Sequence, residues 1–515
     1  MNDFLASSLA GISQPLAAHI QLAAAALLLA LLIALPLTLW AARNGRVAAI
    51  TLTVASLVQT VPALALLALF YPILLWLSTW AGGGIPALGF LPALLALALY
   101  AVLPVLRNGV TGLVNLDPAV LEAADGMGMS AAQKLRLVEL PLAAPMLMAG
   151  IRTAAVWTIG TATLSTTVGQ PSLGDPIFAG LQTQNWALVL KGCIAAAALA
   201  LVTDALLAMA ERGIRSRRPR WTILSLILLA VGTMAACLPL YGSTQATVTI
   251  GAKNFSEQYI LVRLIGRRLE AQGYAVRYRE GLGSAVIYRA LASGDIDIYV
   301  DYAGTLWSNE MKRTDIVPPT EMIPAIDKWM RATSGARLLG PLGFENAYVF
   351  AMKSSDARKR GIASLDDLAI ASPQLRLGSD LEFLERPEWA SVKAAYPLAF
   401  RQTQAFSPTF MYRALASGAV DVISAFSSDG RIAADKLVVL GDPKGAVPRY
   451  DALLLVAPSH AQDERFLAAM QPLLGRIPVE FMREANLQVD RDDRKRTPLD
   501  TAIWLDRKIQ DRHNK

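Results

Sequence analysis

Only two cysteines occur in 515 residues, Cys193 and Cys237, and both fall in apolar runs. The stretch after residue 245 has none, which excludes a disulfide framework there even in an oxidising compartment. Histidine is nearly as scarce. His19, His460 and His513 give neither metal-ligand spacing nor a nucleophile triad, so no metal, no catalytic residue and no resident cofactor are expected. A Gly-x4-Gly-Lys-Ser/Thr phosphate loop is also missing, so this chain is not expected to hydrolyse ATP itself. Charged residues make up 17%, and the net +7 forms no basic block beyond Arg212–Arg220, which argues against nucleic acid as a partner.

What is present is apolar: 54% of residues are hydrophobic, too many for one soluble domain of this length. The excess lies before residue 245, a stretch with 12 of the 48 Lys/Arg and 8 of the 41 Asp/Glu. Six runs there are long enough to cross a bilayer, at about 19–42, 48–79, 86–106, 141–168, 187–210 and 221–241. The second is long enough to tilt or to break near Pro62 or Pro72. Lys and Arg follow spans one, three and five, whereas 1–18, 80–85 and 169–186 have none, which puts both termini outside. No basic region precedes the first run, so it does not read as a cleaved signal. Within the spans, Arg152 and Lys191 lie near ends and could snorkel to lipid headgroups. Asp204 lies deeper; it reads first as a charge near the cytoplasmic end of span five, with helix pairing as the alternative.

The segment Asp117 to Pro141 interrupts this pattern on the inner side. Asp117-Pro118 starts a helix, Gly128 stops it, and Ser130 with Gln133 forms a capping box for a second. Glu122, Ala123, Ala124, Gly128, Leu140 and Pro141 stand at the spacing of the cytoplasmic coupling loop of bacterial ABC-importer permeases, which this segment resembles. The resemblance implies a cytoplasmic ATPase partner that holds ATP and Mg2+, and two permease units, hence a homodimer of this chain in membrane lipid. Residues 59–69, 103–113 and 150–175 are similar to the permeases of osmoprotectant importers.

Beyond a short polar linker (242–247), strands are expected at 248–252, 275–279, 296–300, 348–352, 375–379, 421–425, 437–440 and 452–457, with helices between. That alternation argues for α/β lobes with mostly parallel sheets. An internal repeat sharpens the picture. IYRALASGDIDIYVDYAG (287–304) and MYRALASGAVDVISAFSS (411–428) align without a gap, matching Asp297 with Asp421 and Tyr302 with Phe426. Each copy reads as helix, glycine turn and buried strand ending in an aromatic. Two such modules fit two lobes, with Tyr302 and Phe426 facing across a cleft at the strand ends. Facing aromatic rings suit a cation, above all a quaternary ammonium group. Tyr412, inside the repeat helix, faces either ligand or core. The stretch 491–496 reads as a solvated loop.

GAKNFSEQYIL (251–261), GLGSAVIYRAL (281–291), DYAGTLW (301–307), GFENAYVFAMK (343–353), LGSDLEFLERP (377–387) and SSDGRI (427–432) resemble the substrate-binding proteins of osmoprotectant importers. The resemblance implies a two-lobed periplasmic-binding-protein fold outside the bacterial cytoplasmic membrane. It also implies a small quaternary ammonium ligand such as glycine betaine, choline or carnitine, or alternatively ergothioneine or a related nutrient. Tyr302 and Tyr348 match the family's cage tyrosines, Asn254, Phe255 and Gln258 its first-lobe block, and Asp429 and Arg431 its second-lobe block. Ser284, Thr305 and Phe383 lie in the other matching blocks and complete the expected site; Phe426 stands where many members have tyrosine. Arg431 is expected either to pair a ligand carboxylate or to make a structural bridge with Asp429. The expected division is a permease domain at 1–220, a further span and linker at 221–247, and a binding domain at 248–515. Its first lobe takes 248–352 and 453–515, its second 353–452. A ligand-gated channel or sensor would also join binding lobes to spans, but has no use for an ATPase-docking loop.

Overall fold

The computed structural model describes residues 12–513 apart from 83, 183, 184, 239–246, 314, 316, 448 and 492, so most of the linker lies outside the described residues. The chain divides into two compact units, one within 1–178 and 187–244, the other within 245–515 together with 179–186.

Among the described residues, six helices of the first unit are long and apolar enough to cross a membrane. α1 (Ser13–Arg43) is followed by α2 (Gly45–Thr60) and α3 (Ala63–Trp80), so the long second run breaks at Pro62 rather than at Pro72. The reason is local: a residue before proline is pushed out of the helical region, and Val61 is extended at φ −73, ψ 127. α4 (Phe90–Val114) is the most enclosed of these six helices. Next come α5 (Pro118–Gly126), the short α6 (Ala131–Lys134) and α7 (Leu140–Ala162), then α8 (Gly174–Gln182), α9 (Trp186–Arg215) and α10 (Pro219–Cys237). α4 and α7 approach closely because Gly150 has no side chain; a Cβ there would lie 2.7 Å from the Pro104 carbonyl oxygen.

Two readings change. α6 does not end before Pro141 but widens into a π turn at Leu135–Glu139 that runs directly into α7. Pro141 has no N–H for the carbonyl one turn back, and a ladder one residue wider accommodates the loss. Arg152 does not snorkel: it donates to Asp204 at 2.9 and 3.0 Å and to Glu211 at 2.7 Å, tying α7 to α9. Asp204 therefore takes its alternative, helix-pairing role.

The second unit holds two five-stranded sheets. The first has the order β2-β1-β3-β10-β4, with β1 Thr247–Lys253, β2 Ala275–Leu282, β3 Ile298–Tyr302, β4 Arg337–Glu345 and β10 Asp451–Val456. The second has the order β7-β6-β8-β5-β9, with β5 Tyr348–Lys353, β6 Arg376–Asp380, β7 Gln402–Phe406, β8 Val422–Phe426 and β9 Leu437–Val439. β1–β2, β1–β3, β6–β7 and β6–β8 are parallel; β10 and β5, which enter from the other lobe, run antiparallel to their neighbours. The first lobe thus ends before β5, not at residue 352. Two strands were not expected, β4 and β7, and both are edge strands. Edges tolerate the glycines and Pro341 of RLLGPLGFE and the polar QTQAF, which therefore carry little strand signal.

Candidate functional site

The repeat builds both halves of the cleft in the same way. The helix Ser284–Ser293 of the first lobe and its counterpart Pro408–Ser417 each end at a left-handed glycine, Gly294 at φ +79 and Gly418 at φ +76. An aspartate then enters the strand and accepts an N–H from the parallel neighbour: Asp297 from Thr249 at 2.7 Å, Asp421 from Arg376 at 2.9 Å. Each strand finally delivers an aromatic, Tyr302 or Phe426, to a shared cavity of about 420 Å³. The ring of Phe255 lies between them, 6.1 Å from each and nearly parallel to Phe426. Tyr348 stands 4.9 Å from Phe426, and Tyr450 closes the wall edge-on at 6.0 Å from Tyr348. Five rings from both lobes and their crossovers therefore surround one space. Ser284 and Ser407, at the N-terminal ends of the two repeat helices, front it as well. That end of a helix favours negative charge.

The charged groups on the wall are mostly paired. Lys253 donates to Asp301 at 2.5 Å, with 3% and 1% of the two side chains exposed. Arg386 donates to Glu388 at 2.9 Å, Glu382 at 2.8 Å, Tyr450 at 3.2 Å and, across the lobes, Thr305 at 3.3 Å. Asp380 differs. One of its oxygens caps the backbone N–H of Phe383 at 2.8 Å, while the other has no hydrogen-bond partner among the described residues. Burial pushes its carboxyl up to about 6.

Behind Tyr302 sits a buried carboxylate, Glu257, in the first turn of the helix Ser256–Ala271. It accepts from Tyr302 Oη at 2.6 Å, Ser428 Oγ at 2.5 Å, Asn486 Nδ2 at 2.9 Å and Asn346 Nδ2 at 3.2 Å. Burial pushes its carboxyl up, against the pull of those donors. Gln258 adds a bond from Nε2 to Tyr302 Oη at 3.0 Å. Ring position on the first lobe is thus fixed through a group that also holds Ser428, beyond the end of β8.

Residues 246–506 match the family model of the substrate binding domain of ABC-type glycine betaine transport systems. Residues 22–216 match that of the binding-protein-dependent transport system inner membrane component. The chain belongs to this transporter family. It is 28% identical over 466 residues to the ergothioneine transport permease/ergothioneine binding protein EgtU of Helicobacter pylori, covering 87% of this chain and 81% of that one. The choline transport system permease protein OpuBB of Bacillus subtilis is 41% identical over 194 residues, 38% of this chain and 84% of that protein. A solved glycine betaine/carnitine/choline ABC transporter structure is 27% identical, covers 51% of this chain and 98% of that chain, and has a TM-score of 0.45. The chain is thus an inner-membrane, multi-pass permease joined to a binding domain of the extracytoplasmic type.

Seven of the expected residues line the cavity together: Asn254, Phe255, Ser284, Tyr302, Thr305, Tyr348 and Phe426. Four do not. Gln258 is fully buried behind Tyr302. Phe383 is buried against Tyr348 at 4.5 Å on the core side, since it falls three residues into a helical turn that begins at Asp380. Arg431 clasps Asp429 at 2.6 Å and stacks 4.0 Å over Tyr412, so all three are structural neighbours away from the main cavity. Asp380, Arg386, Asn346 and Tyr450 were not expected. The first two share a matching block with Phe383, but a single sequence does not fix which side of a short helix faces the ligand. Tyr450 lies in a polar stretch with no periodic signal at all.

Of the six residues expected of a coupling loop, Glu122, Ala123 and Ala124 lie on α5, Gly128 in the turn after it, and Leu140 and Pro141 at the start of α7. Asp117 accepts from Ala119 at 2.9 Å, Ser130 and Gln133 cap each other, Gly128 takes φ +73, and Lys134 bridges back to Asp125 at 2.7 Å. Ala124 is 1% exposed.

Proposed function

We propose that this chain is the membrane-spanning and substrate-binding subunit of an ATP-driven importer of quaternary ammonium compounds such as glycine betaine, choline or carnitine. The observation that carries the substrate class is the convergence of five aromatic rings on one small cavity. A quaternary ammonium group has no N–H to donate, so hydrogen-bond acceptors cannot hold it; ring faces can, at ~0.5–2 kcal/mol each. An anionic end would meet the helix N-termini at Ser284 and Ser407. A second reading, import of ergothioneine or another betaine-like nutrient, is favoured by the similarity to EgtU, which extends over both units. We further propose that a separate cytoplasmic ATPase carries ATP and Mg2+, docks on residues 118–141, and serves a homodimer of this chain in the membrane.

The full chain, reconstituted in liposomes with its ATPase, is expected to take up a labelled quaternary ammonium compound only when ATP is enclosed on the ATPase side. Uptake of none of glycine betaine, choline, carnitine or ergothioneine would refute the substrate class. Arg431→Met is expected to leave affinity within about threefold but to destabilise the binding unit by about 3 kcal/mol, because Asp429 and Asp490 stay buried without their cation. Calorimetric titration beside thermal melting separates the two. A selective loss of carboxylate-bearing ligands with an unchanged melting point would return Arg431 to the site.

A further inference from the structure

The cleft wall carries one carboxylate oxygen that no hydrogen-bond donor among the described residues answers. Lys253 is neutralised by Asp301, and Arg386 by Glu388 and Glu382. Asp380 is 5% exposed, lies at the C-terminal end of β6, and lines the cavity beside Tyr348. Its capping oxygen is occupied; the other is without a partner among the described residues. A buried acceptor left unmet costs the full desolvation of the group, and a charged one costs more. Such an oxygen on the wall of a binding cavity is suited to a donor that arrives with the ligand.

We propose that Asp380 selects the substrate: its unpartnered oxygen accepts a hydrogen bond from an O–H or N–H group of the ligand, so the preferred compound is a trimethylammonium compound that carries such a donor. This rests on the quaternary ammonium reading above and narrows it. Glycine betaine has no donor, since its nitrogen is fully methylated and its carboxyl is ionised. Its carboxylate would gain nothing from Asp380 and would be repelled if turned towards it. Choline and carnitine offer a hydroxyl, and ergothioneine offers a ring N–H. The rings hold the cation that these compounds share, whereas Asp380 reads what differs between them. Burial outweighs the pull of Arg386 and leaves the Asp380 carboxyl raised, as suits an oxygen with no donor of its own among the described residues.

The test uses the full chain in lipid nanodiscs, titrated calorimetrically with glycine betaine, choline, carnitine and ergothioneine. The wild type is expected to bind at least one donor-bearing compound about 30-fold more tightly than glycine betaine. Asp380→Asn keeps a cap for Phe383 but turns an amide N–H2 towards the cavity. It should weaken the donor-bearing compounds about 30-fold or more and leave glycine betaine within about threefold. Choline and carnitine responding without ergothioneine would identify the donor as O–H, and the reverse as N–H. Asp380→Ser, which also caps a helix, should give the same ranking if the Asn variant melts abnormally. Glycine betaine as the tightest ligand of the wild type, or an equal loss for all four compounds, overturns the role of Asp380. Binding of none of the four overturns the aromatic-cage reading itself, a distinct outcome.

Discussion

Uptake should fall to background when Ala124 is replaced by Arg, while ligand affinity should stay within about twofold of wild type. This is the behaviour expected of a segment that transmits force without touching substrate. Ala124 is 1% exposed in a helix capped by Asp117 and closed by the left-handed Gly128. A long cationic side chain has no room there, and overpacking costs about 1–3 kcal/mol. The segment is held mainly by its caps and by the surface bridge from Lys134 to Asp125, which is worth at most about 1 kcal/mol. It therefore has little reserve with which to keep its shape. The measurements are ATP-driven uptake in liposomes and calorimetric titration on the same preparation. Uptake within about twofold of wild type would remove this segment from the coupling path.

Tyr302→Ala should weaken quaternary ammonium binding by about 100-fold, or ~2.7 kcal/mol. One cation–ring contact accounts for up to ~2 kcal/mol. The rest follows from lost support: Phe255 lies 6.1 Å from the Tyr302 ring, and Glu257 loses one of its four donors. Tyr302→Phe separates these contributions. It keeps the ring face, so affinity should fall less than about tenfold. It also removes the hydroxyl that Glu257 and Gln258 share, which should lower the melting temperature by an amount equivalent to about 1–3 kcal/mol. Full affinity in Tyr302→Ala would show that the cage does not hold the cation.

Much of this was legible because some signals are local in the chain. Spans follow from run length, and their orientation from where Lys and Arg fall. The caps of the coupling segment follow from Asp117, Ser130, Gln133 and Gly128, each acting within a few residues. The repeat gave more, since a helix, a glycine turn and a strand recur with the same residues in the same roles. Asp297 and Asp421 answer the same backbone group in each lobe, and Tyr302 and Phe426 leave their strands at the same end. What stayed hidden depends on distance. Arg152 meets Asp204 across 52 residues, Glu257 meets Asn486 across 229, and Arg386 reaches Thr305 across 81. No local pattern encodes such pairs.

The sequence by itself determined that this chain is a six-span permease joined to a two-lobed binding domain, and that aromatic residues end its repeated strands. Only the tertiary structure decided which residues of each block face the ligand. Phe383 and Asp380 are three positions apart, yet one lies in the core and the other on the cavity wall. Arg431 has the chemistry for a carboxylate, but two buried aspartates hold it first. A charge is free to meet a ligand only when no other part of the fold has neutralised it, and that balance is set by three-dimensional packing.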